Sequence, residues 1–378
     1  ANTSLLPTED GKPSVWTQQP NLKFNALFRR GLPQGILIVG DAGPAVERPV
    51  AEAARDQQKQ LEGVGSLSLT ESEPSTQYPP FYVITTEFAN QLLEPSGRTV
   101  DDIRREIGES LQPVVFSVPE VEVSSSLSTG GDKLGTENVG ALIEGSDPVL
   151  KDEYVVITSH YDHIGVTAPD ENGDSVNNGA DDDGSGSVAL LEMADAFIQA
   201  KAEGVGPRRS VLFINFSGEE KGLLGSAYFA DTEPTVPLDK IVTVLNIDMI
   251  GRVDPTYPGD TDSYVYIIGS NMISQELHDI NDRVNEITNI QLDLNERFNT
   301  KEDPNRFYAR SDHWNFGKHN IPFIFYFTGT HEDYHQPGDE PHKILYDRMA
   351  DITRLIFGTA WQVANQDAPP VLSGTGFN

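Results

Sequence analysis

Apolar residues recur along this chain in two rhythms, and the change from one to the other divides it. Early on, the continuous apolar runs are short and far apart: "GILIVG" at 35–40 and "PFYVIT" at 80–85 both read as buried strands. Between them "AVERPVAEAARDQQKQLEGVG" is partly helical in its spacing, and the polar stretch "SLTESEPSTQ" follows it. "TVDDIRREIGESL" reads as a helix that closes the region near residue 111. Residues 1–20 are polar and hold Pro7, Pro13 and Pro20, the composition of a lead-in segment. The pattern predicts a small α+β module over 21–108.

From about residue 115 strands and helices alternate. Apolar runs predict strands at 138–143, 154–159, 211–216, 241–247, 264–268 and 321–327. Helical spacing predicts helices at 185–201, 222–230, 274–287 and 346–364. Such alternation implies an α/β fold over 109–368, a mostly parallel mixed sheet with helices on both faces. No internal repeat at solenoid periods interrupts it.

With 378 residues, 37% of them hydrophobic, the chain can bury a substantial core. Its 58 acidic residues outnumber 27 basic ones, and the net charge of -31 repels phosphate backbones and anionic lipid. Nucleic-acid and membrane-surface roles are therefore excluded, and no apolar run reaches the roughly twenty residues of a membrane span. The chain opens without a basic and then apolar signal segment, while its acidity fits an exported protein. The expectation is a secreted, periplasmic or cell-surface location. There is no cysteine, so disulfides and thiolate metal sites are ruled out and His, Asp and Glu remain as ligands.

In open α/β sheets ligands bind beyond the carboxyl ends of the strands, and these ends are chemically rich here. The 154–159 strand runs into His160-Tyr161-Asp162, and 211–216 into Glu219-Glu220. The 241–247 strand delivers Asp248, and 321–327 is followed by His331 and His335. Asp181-Asp182-Asp183 stand just ahead of the helix near residue 185. Each piece has an ordinary explanation: a histidine after a strand is commonly a hydrogen-bonded surface residue, aspartates cap helices, and glutamates complement a helix dipole. Five such features at one sheet edge would be an unlikely coincidence of caps. Together they form the inventory of a two-metal hydrolytic site, where cations about 3.5–4 Å apart need a shared anionic ligand and a free carboxylate serves as base.

These residues lie in "SHYDHIG", "NNGADDDGSGSVALLEMA", "SGEEKGLLGSAYF", "LNIDMIG", "FYARSDHWNF" and "HEDYHQPGD". In that order, over 115–365, the set is similar to the co-catalytic zinc exopeptidases typified by bacterial leucyl aminopeptidases, whose relatives include glutamate carboxypeptidase, glutaminyl cyclase and the transferrin receptor. The resemblance implies two zinc ions, replaceable by cobalt or manganese. His160 and Asp248 would hold one, Glu220 and His335 the other, and Asp182 would bridge them, with a cis peptide bond to Asp183. It further implies Glu219 as general base, Asp162 as the carboxylate that takes the other ring proton of His160, and Tyr308 as a donor to the oxyanion. His163, His313 and His331 are left with structural or surface roles, and Arg310 with a substrate contact or a salt bridge. "DENGDS" at 170–175 looks like a calcium loop, but its glycine comes too early for an EF-hand, so calcium has no support. The 21–108 region resembles a protease-associated domain, though the catalytic-domain helix that often precedes one is not found before residue 20.

The implied activity is removal of amino-terminal residues from peptides with a free N-terminus. Three rivals share the architecture. A carboxypeptidase or dipeptidase would use the same two metals, and a glutaminyl cyclase would not need the His160 and Asp248 pair. An inactive receptor-like binding protein would have lost ligands, and none is lost here.

Overall fold

The structure, a computed structural model, describes residues 35–39, 69, 81–110, 113–124, 134–260 and 263–374. The chain divides into two compact units, Ala1–Lys133 and Leu134–Asn378. In the first unit Ile36–Val39 (β1) pairs in parallel with Phe81–Ile84 (β2). Thr86–Leu93 (α1) is capped by the Thr85 hydroxyl, which accepts from the Phe88 amide at 3.1 Å. Val100–Ser110 (α2) starts on a reciprocal cap: the Thr99 amide donates to Asp102 at 3.0 Å and the Asp102 amide to Thr99 at 3.2 Å. The expected lead-in at 1–20 and the helical stretch at 45–65 lie outside the described residues. The sequence pattern places its boundary at 108, whereas the compact units divide at 133.

The second unit carries Val139–Ile143 (β3), Tyr154–His160 (β4), the two-residue strands Gly165–Val166 (β5) and Val176–Asn177 (β6), and Gly184–Ala202 (α3). Ser210–Phe216 (β7), Leu224–Ala227 (α4), Ile241–Ile247 (β8), Tyr264–Ile268 (β9) and Gln275–Ile287 (α5) follow. Asp293–Asn295 (β10), His313–Gly317 (α6), Phe323–Phe327 (β11) and Tyr346–Asn365 (α7) complete it. Seven strands form one sheet in the order β10-β9-β11-β8-β4-β7-β3. The central four, β11, β8, β4 and β7, are mutually parallel. β3 runs antiparallel to β7, and β9 antiparallel to β11. The mostly parallel mixed sheet read from the alternation is therefore the observed one.

Side-chain alternation explains how both faces are covered. Val155, Ile157, Phe213 and Leu245 face the three long helices, meeting Met193 and Phe197 of α3, Leu277 of α5 and Ile352 and Leu355 of α7. Val156, Leu212, Ile214 and Phe216 face the other way, onto Phe229, Phe316 and Ile321. Each large apolar side chain withdrawn from water here contributes about 1.5–3 kcal/mol. Helices lie on both faces, but unequally, because the second face is covered by the short α4 and α6 and by loops. The central parallel strands thus become a rigid platform, and their carboxyl ends open at one edge.

Candidate active site

His160 is the last residue of β4, and only 1% of its side chain is exposed. Its Nδ1 lies 3.0 Å from the Asp162 carbonyl oxygen. A carbonyl only accepts, so this contact puts a proton on Nδ1 and turns Nε2 toward the interior of the site. There Nε2 meets Asp182 Oδ1 at 3.2 Å and Asp248 Oδ1 at 3.7 Å. The Asp162 carboxylate does something other than the resemblance implies. It stands 3.8 Å from His160 Nδ1 and instead accepts the amides of Glu219 at 3.0 Å and Glu220 at 3.3 Å. The main chain of Asp162 thus orients the histidine, and its side chain braces the two glutamates.

The three aspartates are placed by their own neighbours. Asp183 caps α3 through the Gly186 amide at 3.0 Å and also accepts the His160 amide at 3.1 Å and the Met249 amide at 3.2 Å. One carboxylate therefore ties together the ends of β4 and β8 and the start of α3. Asp339 accepts the amide of Asp182 at 3.1 Å and that of Asp181 at 3.0 and 3.1 Å. The peptide bond between Asp182 and Asp183 is cis, as the resemblance implies. Asp182 is left free to face both sides: Oδ1 toward His160, and Oδ2 toward His335 Nε2 at 3.2 Å.

Glu220 meets His335 Nε2 at 3.3 Å through Oε2, and His163 Nδ1 at 2.9 Å through Oε1. Ligand atoms of His160, Glu219 and Asp248 lie within 4.8 Å of one another, and so do those of His163, Asp182 and Glu220. His160, His163, Asp182, Glu219, Glu220, Asp248 and His335 thus converge on one small volume, with Asp162 behind them.

A divalent cation fits this donor set, and hydrogen-bond geometry says so independently. His160 Nε2, both His163 ring nitrogens and Glu220 Oε1 are buried polar atoms without a hydrogen-bond partner, although carboxylates or imidazoles stand close by. Atoms in contact yet out of line for a hydrogen bond are aimed at a common third point, as ligands are. Electrostatics agree. Burial alone would lower the His160 pKa, but Asp182 and Asp248 outweigh it and raise it well above the usual value. Burial would likewise depress His335, yet Asp182 and Glu220 lift it to about 9. Burial raises Glu219 well above the usual carboxylate range, and the negative charges of Asp248, Asp312 and Glu220 add to it despite His160. This much crowded negative potential is what two cations would neutralise.

Beyond the carboxylates opens a cleft. Its apolar wall is Met249, Phe307, Phe325 and Phe327, all at most 7% exposed. Tyr334 lines it too, its ring stacked on His335 at 3.8 Å and its hydroxyl accepting from Arg310 Nη2 at 3.1 Å. Tyr308 is not among the lining residues. It packs beside Trp314, ring centroids 6.1 Å apart, and its carbonyl lies 3.0 Å from His313 Nε2. His313 itself is a core residue: burial pushes its pKa down to about 3, and its ring stacks on Phe325. His331 is also interior, with Nε2 3.3 Å from Asp181. Tyr334 and Asp339 went unread in the sequence, although Tyr334 directly precedes His335 and Asp339 ends "HQPGD".

Residues 138–360 match the model of peptidase family M28. The chain belongs to that family. It is 36% identical over 115 residues to a probable zinc metalloprotease of Pyrenophora teres f. teres, covering 30% of this chain and 22% of the relative. It is 30% identical over 227 residues to leucine aminopeptidase 1 of Sclerotinia sclerotiorum, covering 57% of this chain and 54% of the relative. Among solved structures, a zinc aminopeptidase from Bacillus subtilis shows 21% identity and a TM-score of 0.47, covering 62% of this chain and 53% of that one. Alignments with these two curated relatives span only 22% and 54% of their length. The M28 match contains all of the residues that converge at the strand ends.

Proposed function

We propose that the Leu134–Asn378 unit is a two-zinc exopeptidase that removes amino-terminal residues from peptides. The observation that carries this reading is the placement of Asp182, one oxygen 3.2 Å from His160 Nε2 and the other 3.2 Å from His335 Nε2. One carboxylate between two ligand sets is the feature a pair of cations requires. His160 and Asp248 would hold one ion and Glu220 and His335 the other. Zinc suits such nitrogen and oxygen donors, and cobalt or manganese would be tolerated. When bound, the ions would polarise a scissile carbonyl and acidify a water.

The chain's own groups do the rest. Glu219, raised in proton affinity and braced through its amide by Asp162, takes the proton of the attacking water and returns it to the leaving amine. The Tyr334 hydroxyl already accepts from Arg310, so its own proton is available for the developing oxyanion. This role belongs to Tyr334 rather than Tyr308, because Tyr334 lines the cleft. Met249, Phe307, Phe325 and Phe327 receive an apolar side chain, and the surrounding carboxylates attract the substrate ammonium. Arg310 supports a second reading, a carboxypeptidase or dipeptidase, since it is the Lys or Arg among the described residues lining the cleft.

The test is metal content. Zinc measured after dialysis should be about two per chain in the native protein and one or none in Asp182→Ala, with release of amino acids from arylamides lost in parallel. Two tightly held zincs in Asp182→Ala would sink the bridging assignment.

A further inference from the structure

His163 has no part in the scheme above, yet it is built into the site. Only 9% of its side chain is exposed, and its Nδ1 lies 2.9 Å from Glu220 Oε1 and 3.9 Å from Asp182 Oδ2. The His163 and His335 rings meet edge to face, centroids 5.8 Å apart. The chain makes room for the ring with a glycine. Gly179 has φ +63°, and a Cβ there would fall 2.6 Å from His163 Cγ and 2.4 Å from the Asp182 carbonyl oxygen.

The contact with Glu220 is close but is not a hydrogen bond. Neither His163 Nδ1 nor Glu220 Oε1 has a hydrogen-bond partner, so at 2.9 Å the two atoms point past each other. His160 Nε2 behaves in the same way toward Asp182. Two ligand atoms of one tetrahedral zinc stand roughly 3–3.5 Å apart and face the metal, not each other. Asp181 and His331 share the signature, but the Asp333 amide occupies the other His331 nitrogen and no third ligand joins them among the described residues.

Resting on the two-cation reading, we propose that His163 is a ligand of the same cation as Asp182, Glu220 and His335, giving that ion four protein groups and the tighter hold. Zinc sites closed by four protein ligands are structural in character, whereas a site with three keeps a position for chemistry. The open position then lies on the other side, with His160, Asp182 and Asp248, and this is where Glu219 stands. One ion holds the loops together, and the base works beside its neighbour. The unequal ligand counts also set a loading order, with the His163 side filling first.

Titration of zinc into the EDTA-stripped full chain, followed by calorimetry, should resolve a tight step and a weaker one. His163→Ala should weaken the tight step at least tenfold and leave the weak step unchanged. An unaltered tight step would overturn the proposal. Because the variant bears on folding as well, X-ray absorption on the unaltered protein at one equivalent of zinc gives an independent measure. Two imidazoles per zinc are expected, from His163 and His335; a single imidazole overturns the assignment and leaves His163 as a brace for Glu220. Failure of the two-cation reading would look different, as fewer than two zincs bound by the unaltered chain at saturation.

Discussion

Glu219 and Glu220 are neighbours in the chain but face different partners. Glu220 meets His335 and His163, and both histidines hold its pKa down against the opposing effect of burial. Glu219 lies with His160 and Asp248, where burial and negative neighbours drive its proton affinity up. In the proposed mechanism a ligand benefits from staying ionised and a base from wanting a proton, a division of roles that these environments favour. Glu219→Gln should therefore keep both zincs while turnover falls by about 10²–10⁴. Zinc content and single-turnover kinetics check this together, and a variant retaining most of the native rate would remove Glu219 from the proton transfer. The His, Asp and Glu of the site were legible in the sequence because His160, Glu219, Glu220 and Asp248 stand at or just beyond strand ends, Asp182 just ahead of a helix, and His335 in the loop after the last strand. The two tyrosines were not separable in this way. Tyr308 and Tyr334 both sit in matched motifs, and only the folded course of the loops sends one to the cleft and the other to Trp314. Asp162 poses the same difficulty on a smaller scale, since no sequence tells whether a carbonyl or a carboxylate meets the imidazole.

At the scale of elements, the long apolar runs announced themselves. β4, β7, β8 and β11 are buried on both faces, so they appear as continuous Val, Ile, Leu and Phe rather than as alternation. β10 went unread because Asp293, Leu294 and Asn295 form a short, polar edge paired only through β9. The helix expected at 222–230 begins at Leu224, because Leu223, its cap, takes a left-handed backbone at φ 60° and cannot extend it backward, and it continues past Leu224–Ala227 as a π-helical turn over Tyr228–Thr232. Asp183 shows what binds the legible elements together. Removing its carboxylate in Asp183→Ala strips three buried amides, those of His160, Gly186 and Met249, of their partner. At about 1–3 kcal/mol per unsatisfied group, the loss in unfolding free energy should exceed about 2 kcal/mol. Urea unfolding of the EDTA-treated protein measures it without any contribution from bound metal. A change of less than about 0.5 kcal/mol, the size of a neutral surface substitution, would show that the three strand and helix ends do not depend on this clamp.

Across the whole molecule, charge supports the proposal that the site reads the amino end of a peptide. The chain carries -31, and the cleft itself presents Asp182, Glu219, Glu220 and Asp248 against one arginine. Two divalent cations would cancel those four carboxylates, so the pull on an ammonium, and the penalty for a carboxylate, would come from the acidic remainder of the chain. Arg310 keeps its charge, but its hydrogen bond to the Tyr334 hydroxyl and its place over the Phe307 ring, 5.0 Å from the centroid, are contacts it would have to share with a substrate carboxylate. Amino-acid arylamides with large apolar side chains should be cleaved, and their N-acetylated forms should not. The comparison is a direct one, because acetylation removes the terminal charge and leaves the side chain that fills the Phe307, Phe325 and Phe327 wall unchanged. Raising the salt concentration should lower kcat/KM for the free-amine substrates, since screening within about 10 Å at 0.1 M weakens the attraction of the ammonium. Release of carboxyl-terminal residues from N-acetylated peptides, with no cleavage of free-amine arylamides, would instead assign Arg310 to a substrate carboxylate and the protein to the carboxypeptidase class.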